Sequence, residues 1–171
     1  WGKATNISDI INTPFFESSL TISDNGQELY IYLDENRGDV YFSQKINSEE
    51  WSKPVPIPGE VNTGNKETSV ALSPDGNIMF FASDRVGSTG GLDIFYATRD
   101  RKGDWIDVVN LGSTINTPGD DDFPFMESDG KTLYFSSTGH QGMGGYDIYK
   151  TVYDSANQTW IKPVNIGYPI N

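Results

Sequence analysis

The sequence has no cysteine and only one histidine. The absence of cysteine excludes disulfides, thiolate metal sites and cysteine nucleophiles, although it does not identify a cellular compartment. A zinc site built from three histidines is excluded within one chain, and a Ser-His-Asp triad would have to use His140. There is also no Gly-x-Ser-x-Gly nucleophile elbow. These absences weigh against catalysis, and we predict that the chain is not an enzyme and needs no cofactor.

Basic residues are scarce. The chain has 12 Lys and Arg against 24 Asp and Glu, which gives a formal net charge of -12. A surface this acidic repels phosphate backbones and anionic lipid. We therefore expect no nucleic-acid partner, and the remaining partners are cations, basic protein surfaces and neutral glycans.

Long apolar runs are absent as well. No stretch approaches the length of a membrane span, so we expect no direct membrane insertion. No signal peptide is visible and the chain begins on Trp1, which we interpret as a mature or truncated form whose targeting signal lies elsewhere. No segment sustains a helical apolar period, because Gly, Pro, Asn and Asp interrupt the chain at strand-length intervals.

What the sequence does contain is a repeat. Trp1, Trp51, Trp105 and Trp160 are 50, 54 and 55 positions apart, and an asparagine follows each of them by 11 positions. An acidic residue follows each of the first three asparagines by five positions, and a glycine follows each acidic residue by nine. The asparagines are Asn12, Asn62, Asn116 and Asn171, the acidic residues are Glu17, Glu67 and Asp121, and the glycines are Gly26, Gly76 and Gly130. A period near 50 residues indicates a propeller or a solenoid.

Each copy predicts about four short strands. In the third copy, strand A lies near Asp121–Glu127, strand B at Thr132–Ser137 and strand C at Asp147–Val152, and strand D starts at Trp160. Strand B is apolar on both faces, so its sheet must lie between two neighbours. The predicted fold is therefore all-β, with three four-stranded antiparallel blades of a β-propeller at residues 13–62, 63–116 and 117–171, and residues 1–12 as an orphan outer strand and linker.

Three blades do not close a ring, since propellers typically use about 4–8 blades. An open stack would leave two apolar blade faces in water, which monomers avoid. We expect either a piece of a larger propeller, which we favour, or self-association in which two sets of three blades close together.

The repeat resembles a known family. Ser73-Pro74-Asp75-Gly76, Phe81–Arg85 and Asp93-Ile94-Phe95 are similar to the TolB-type, WD-like β-propeller repeat, which is also called PD-type. The longer pattern, with Gly142–Tyr149, resembles propellers in bacterial OmpA-family envelope proteins, including periplasmic components of type nine secretion. The resemblance implies a scaffold that is periplasmic or associated with the outer membrane. Nothing here resembles the OmpA-like or tetratricopeptide parts, so peptidoglycan binding does not carry over.

The acidic residues that begin strand A are the first candidate site. In a TolB-type arrangement Glu17, Glu67 and Asp121 would converge near the channel mouth and bind a cation or a basic peptide. The alternative is that each carboxylate accepts backbone N–H groups where the chain crosses between blades. Arg85 and His140, in the loops between strands B and C, complete the predicted partner-binding set.

Acidic residues at other positions are weaker candidates. Asp120, Asp121 and Asp122 form one local cluster that could suit Ca²⁺, although the run lacks the spacing of an EF-hand loop. Asp39, Asp93 and Asp147 open strand C in successive blades, and we expect them to make structural hydrogen bonds. The glycine-rich loops lack the Lys-Ser/Thr and the helix of a phosphate loop, so we interpret them as hairpin tips.

The predicted function is a non-catalytic scaffold that binds an envelope protein or peptide. Two alternatives remain open at this stage. One is a carbohydrate-binding or carbohydrate-active propeller, because tryptophans can stack on sugars. The other is a purely structural spacer between neighbouring domains.

Overall fold

The structure is a computed structural model that describes Lys3, residues 7–12 and residues 17–171, without the side chains of Glu17 and Ser19. All regular structure in these residues is β-strand, which confirms the predicted fold class. None of these residues forms a helix that could span a membrane. The strands are β1 (Glu17–Ile22), β2 (Glu28–Leu33), β3 (Asp39–Gln44), β4 (Val55–Pro56), β5 (Glu67–Leu72), β6 (Ile78–Ser83), β7 (Asp93–Arg99), β8 (Trp105–Asn110), β9 (Asp121–Met126), β10 (Thr132–Ser137), β11 (Asp147–Asp154), β12 (Thr159–Trp160) and β13 (Val164–Asn165).

The strands form three antiparallel sheets in which sequence neighbours pair. Sheet 1 has the order β1-β2-β3-β4 and sheet 2 the order β5-β6-β7-β8. Sheet 3 has the order β9-β10-β11-β12, and β13 also pairs with β11. The first hairpin of each sheet turns at a repeat glycine with positive φ (67° at Gly26, 69° at Gly76 and 65° at Gly130). Glycine adopts this conformation at no steric cost, which explains its fixed place in the repeat.

Sheet 2 lies between the other two and buries both faces. Met79 and Phe81 of β6 pack towards sheet 1, in a cluster that contains Tyr30 and Val40. Phe80, between them in sequence, packs towards Leu133 and other residues of sheet 3. This alternation is what a strand with apolar residues on both faces requires. Burying one such phenylalanine contributes about 1.5–3 kcal/mol.

The repeat asparagines fasten the crossing segments to the sheets. The Asn116 amide accepts the N–H of Ile94 at 2.8 Å and donates to its carbonyl at 2.9 Å. Asn62 makes the same pair of bonds with Val40, and Asn171 makes them with Ile148. The spacing of the repeat is therefore a backbone requirement, because each asparagine side chain continues the pairing of the neighbouring strand segment. The same carbonyls also accept the backbone N–H of Ile57, Leu111 and Ile166.

The two outer faces of the stack differ. Ile11 packs on the outer face of sheet 1, in a cluster with Leu29, Ile31 and neighbouring residues. Residues 7–12 form turns there rather than a strand, and the remainder of the predicted orphan strand, except Lys3, lies outside the described residues. On the outer side of sheet 3, Phe125 is 60 % exposed and Val164 is 67 % exposed. The described sheets thus form an open stack, as expected of a partial propeller.

Candidate functional site at the loop end of the sheets

The predicted site residues lie at one end of the stack, which we call the loop end. Here β5 and β9 begin, and the long hairpin loops join β6 to β7 and β10 to β11. Glu67 is the first residue of β5 and Asp121 the first of β9, and both are fully buried. Glu17 begins β1, but its side chain lies outside the described residues.

Glu67 and Asp121 share one structural task. Glu67 accepts the backbone N–H of Thr63 at 2.9 Å and its hydroxyl at 2.9 Å. Asp121 accepts the backbone N–H of Thr117 at 2.6 Å and its hydroxyl at 2.9 Å. This geometry is the capping arrangement that was the alternative to an acidic rim. The Thr-x-x-x-acid spacing in the sequence is the signal for it.

Arg85 completes a buried ion pair in sheet 2. Its Nη2 lies 3.1 Å from Oε1 of Glu67, and the two side chains are 10 % and 0 % exposed. The guanidinium also lies over the rings of Phe81 and Phe95, at 4.7 and 5.3 Å from their centroids. It donates to the carbonyls of Glu60 and of the adjacent Val61, which lie in the crossing segment from sheet 1. Burial lowers the pKa of Arg85, and the charge of Glu67 opposes that shift.

His140 takes the corresponding place in sheet 3. Its ring packs 5.8 Å from Phe135 and 5.0 Å from Tyr149, measured between centroids. Its Nε2–H donates to the carbonyl of Ile115 at 2.8 Å, in the crossing segment from sheet 2. Within the described residues, no ion pair joins it to Asp121.

Asp121 is consequently less well satisfied than Glu67. Its Oδ1 is buried, and none of the described residues meets it within hydrogen-bonding geometry. Burial raises the pKa of Asp121, although the nearby hydroxyl of Ser137, the bonds from Thr117 and the nearby His140 act in the opposite direction. The structure therefore holds a paired buried acid in one blade and an incompletely paired one in the next.

The aspartates that open strand C hold the loops, as expected. Asp93 accepts the N–H of Thr89 at 2.8 Å and of Gly90 at 3.3 Å. Asp147 accepts the N–H of Met143 at 2.5 Å and of Gly144 at 3.4 Å. Both carboxylates are committed to the hairpins that they begin.

The acidic cluster at residues 120–122 spreads its carboxylates in different directions. Asp120 accepts the N–H of Leu92 at 3.0 Å, whereas Asp121 faces Thr117. Asp122 reaches across to sheet 2, where it accepts the hydroxyl of Ser69 at 2.5 Å. Burial raises the pKa of Asp122. Over the residues that the structure covers, no group of three His, Cys, Asp or Glu side chains is placed to hold a metal ion.

One exposed pair at this end was not singled out from the sequence. Phe123 and Tyr146 are 59 % and 46 % exposed, and their rings meet edge to face at 6.1 Å. Phe123 has φ of 53°, and its N–H donates to its neighbour Asp122 at 2.7 Å, so the local backbone turns its ring outward. Burial, with the charges of Asp120, Asp122 and Asp121, raises the pKa of Tyr146 to about 12. The positive φ of a phenylalanine has no signal in the sequence.

Comparison with known proteins supports the fold. A crystal structure of TolB from Acinetobacter baumannii has a TM-score of 0.56 and 15 % identity, and the match covers 90 % of this chain and 33 % of that one. A putative TolB from Agrobacterium tumefaciens has a TM-score of 0.59 and 17 % identity, with 93 % and 52 % covered. An uncharacterized protein from Listeria monocytogenes has a TM-score of 0.52 and 12 % identity, with 96 % and 45 % covered. No protein-family model and no curated protein matches the chain.

These likenesses identify a TolB-type propeller fold and no more, because identity this low does not carry function. The chain spans between one third and about half of the length of the three proteins.

Proposed function

We propose that this chain is a non-catalytic, protein-binding propeller of the bacterial cell envelope, with a basic peptide or a basic protein surface as its partner. The observation that carries the proposal is the exposed pair Phe123 and Tyr146 beside the acidic residues 120–122 at the loop end. Exposed aromatic side chains that can be desolvated are the usual anchors of protein interfaces.

The charge of the chain favours a basic partner. The net charge is -12, and Asp120, which lies beside Tyr146, is only half-buried. A negative surface around an aromatic anchor attracts a positive partner and increases the rate of encounter. The aromatic pair would contribute most of the affinity, and Asp120 together with the net negative charge would select for a positive partner.

The location of the protein is proposed on its sequence pattern. The repeat resembles that of OmpA-family envelope proteins and of periplasmic components of type nine secretion. We therefore place the chain in the periplasm or in association with the outer membrane, as a scaffold for other envelope proteins. The TolB-type fold is consistent with this assignment.

A non-catalytic role agrees with the structural hydrogen bonds and the ion pair that the polar residues form. Glu67 caps a crossing segment and pairs with Arg85, and Asp93 and Asp147 hold hairpin loops. The Nε2–H of His140 donates to a backbone carbonyl. A general base must be free to accept a proton from a substrate, and these groups are committed to the fold.

The test is photocrosslinking from the aromatic pair. A benzophenone amino acid replaces Phe123, and a matched control variant carries it at Phe125, on the same strand and similarly exposed at 60 %. We expect an envelope protein to be crosslinked from the first position and not from the second. Raising the salt from about 0.05 M to about 0.5 M should reduce the yield, because screening weakens a charged encounter.

Two results would reject the proposal. One is equal crosslinking from both positions, or none from either. The other is a hydrolase activity that survives purification and disappears when His140 is replaced by glutamine, because that would assign the loop end to catalysis.

A further inference from the structure

A cleft of about 370 Å³ opens between sheets 2 and 3, at the end opposite the loop end. Its volume lies within the range of about 300–1,000 Å³ typical of small-molecule pockets. Its walls are apolar and aromatic, and its mouth carries neutral polar groups. The lining residues that matter are Ile78, Phe80 and Tyr96 of sheet 2 and Met126, Tyr153 and Trp160 of sheet 3.

The corresponding space between sheets 1 and 2 shows why this cleft is open. There, Glu28 of sheet 1 binds Arg99 of sheet 2 through two hydrogen bonds of 2.7 and 3.0 Å. The guanidinium lies over the ring of Trp105, 5.3 Å from its centroid, and Trp105 is only 1 % exposed. A planar group of the chain itself thus fills the space and covers the tryptophan.

The repeat places Ile78 and Tyr153 at the positions of Glu28 and Arg99. Ile78 lies two residues after its repeat glycine, as Glu28 does, and Tyr153 pairs with Trp160 across the strands as Arg99 pairs with Trp105. Tyr153 meets the ring of Trp160 at 5.2 Å, edge to face. Trp160 is therefore left half-buried, with open space on its free side.

The lining limits what can enter. Among the described residues no carboxylate lines the cleft, and isoleucine occupies the position that glutamate has in the other interface. A cation would therefore lose its hydration without gaining a counter-charge. The deep wall of Ile78, Phe80, Leu111 and Met126 has no side-chain hydrogen-bond partner for a sugar hydroxyl.

Of the two amides in the lining, that of Gln158 lies at the exposed mouth and that of Asn110 is already fully used. Nδ2 of Asn110 donates to the carbonyl of Gly87 and to Asp93. Its Oδ1 accepts from the N–H of Gly112 and from Asn116. An asparagine side chain has two donors and two acceptor positions, so none is left for a ligand.

We infer that this cleft binds an uncharged aromatic side chain, presented by a partner protein, which stacks against Trp160 where the first interface holds the guanidinium of Arg99. That the group comes from a protein rests on the proposed protein-binding function. A flat apolar ring satisfies the aromatic walls and requires no polar partner from the deep wall. The exposed Thr114, Gln158 and Thr159 at the mouth are placed to bind the backbone that carries the ring.

The test uses the full chain and N-acetyl-L-tryptophanamide, a neutral probe, in an NMR titration. We expect saturable shifts of the indole N–H of Trp160 and of the methyl groups of Ile78 and Met126. The charged N-acetyl-L-argininamide and the sugar methyl β-glucopyranoside, as parallel probes, should bind at least about tenfold more weakly, a difference of about 1.4 kcal/mol.

A matched variant fills the cleft from within. The double substitution Ile78→Glu with Tyr153→Arg recreates the pair that Glu28 and Arg99 form in the other interface, and should weaken probe binding by at least about tenfold. Phe125→Ala, on the outer face of sheet 3 and outside the cleft, should leave binding unchanged. If the double variant does not fold, Thr114→Phe at the exposed mouth provides a second way to occupy the cleft.

The inference is overturned if the probe produces no saturable shift at Trp160, or if its shifts map to Phe123 and Phe125 instead. It is also overturned if the glucoside or the arginine probe binds at Trp160 more tightly than the indole does. Crosslinking from Phe123 takes place at the other end of the stack, so failure at the cleft and failure of the proposed function give separate results.

Discussion

The two interfaces between neighbouring sheets have side chains at equivalent repeat positions, but the charges of those side chains differ. At the loop end of the first interface, between sheets 1 and 2, Arg85 forms a buried ion pair with Glu67. At the loop end of the second, between sheets 2 and 3, His140 packs on the rings at the two equivalent repeat positions. One buried oxygen of Asp121 has no hydrogen-bond partner in the described part of the chain. The longer Glu67 reaches Arg85, whereas within the described residues the shorter Asp121 forms no ion pair.

The opposite ends of the two interfaces repeat the contrast. The first holds the bridge from Glu28 to Arg99 over a buried tryptophan, and the second holds Ile78 and Tyr153 beside an open cleft. The backbone frame is the same in both, because glycine turns, asparagine bonds and apolar faces define it. Buried ion pairs are thus added to a common backbone frame. The second interface, which has no such pairs among the described residues, contains an acid with a raised pKa at one end and an open cleft at the other.

Breaking the buried pair should have the largest effect. Glu67→Gln leaves Arg85 buried without a counter-charge, which typically costs about 3–5 kcal/mol of unfolding free energy. Urea denaturation at pH 7 measures the loss, with the circular-dichroism spectrum as a check that the variant still folds. A loss smaller than about 1 kcal/mol would mean that the pair is exposed to solvent, contrary to its burial.

Breaking the second bridge should cost less, because its side chains are 26 % and 14 % exposed. Arg99→Met retains the packing on Trp105 but removes both bonds to Glu28, and we expect a loss of about 1–2 kcal/mol after allowance for solvent screening. Arg101→Met, at an exposed position, is the control and should lie within about 0.5 kcal/mol of wild type. Equal losses in the two variants would contradict the role of the bridge.

Burial holds the pKa of Asp121 above its usual value, so the folded state binds a proton more tightly than the unfolded state does. This contribution favours the fold at low pH and is lost as the pH rises from the unfolded value of about 3.9 through the folded value. We therefore expect Asp121→Asn to raise stability by about 1 kcal/mol at pH 7, because the amide carries no charge whose burial must be offset. Below about pH 4 the gain should vanish.

Thermal unfolding of wild type and Asp121→Asn across this pH range checks the sign. A variant that is less stable than wild type at pH 7 would show that the charged form of Asp121 is needed. Glu28 should behave in the opposite way. Burial alone would raise its pKa, but the hydrogen bond and charge of Arg99 hold the pKa below its usual value, so its contribution is lost as the pH falls through that lowered value.

The smallest effect should come from the exposed pair that joins sheets 1 and 2 at the loop end. Nη2 of Arg37 lies 3.3 Å from Oδ2 of Asp84, but their side chains are 62 % and 29 % exposed. Arg37→Ala should change the unfolding free energy by less than about 0.5 kcal/mol. A larger loss in urea denaturation would show that side-chain exposure does not determine how much each ion pair contributes to the free energy of unfolding.

The fold could be predicted from the sequence because the repeat residues are local backbone devices. Gly76 supplies a positive φ, and Asn116 binds one backbone N–H and one carbonyl, so each leaves a periodic trace. The capping role of Glu67 could also be predicted from the sequence, since Thr63 lies only four residues away.

The ion pairs and the cleft could not be predicted in the same way. Arg99 and Glu28 are 71 residues apart, and nothing local marks them as partners. The cleft depends on the difference between Glu28 and Ile78 at one repeat position, which looks like ordinary variation until the sheets are stacked. Comparison of equivalent positions between repeats, with the face of each sheet taken into account, is the signal that would have revealed it.

The central claim is that the first interface contains a buried ion pair at the loop end and the second does not. Two double-mutant cycles in urea at pH 7.5 test it most directly. One cycle combines Glu67→Gln with Arg85→Met, and the other combines Asp121→Asn with His140→Gln. We predict a coupling free energy above about 1.5 kcal/mol for the first pair and below about 0.5 kcal/mol for the second. Equal coupling energies in the two cycles would contradict the claim.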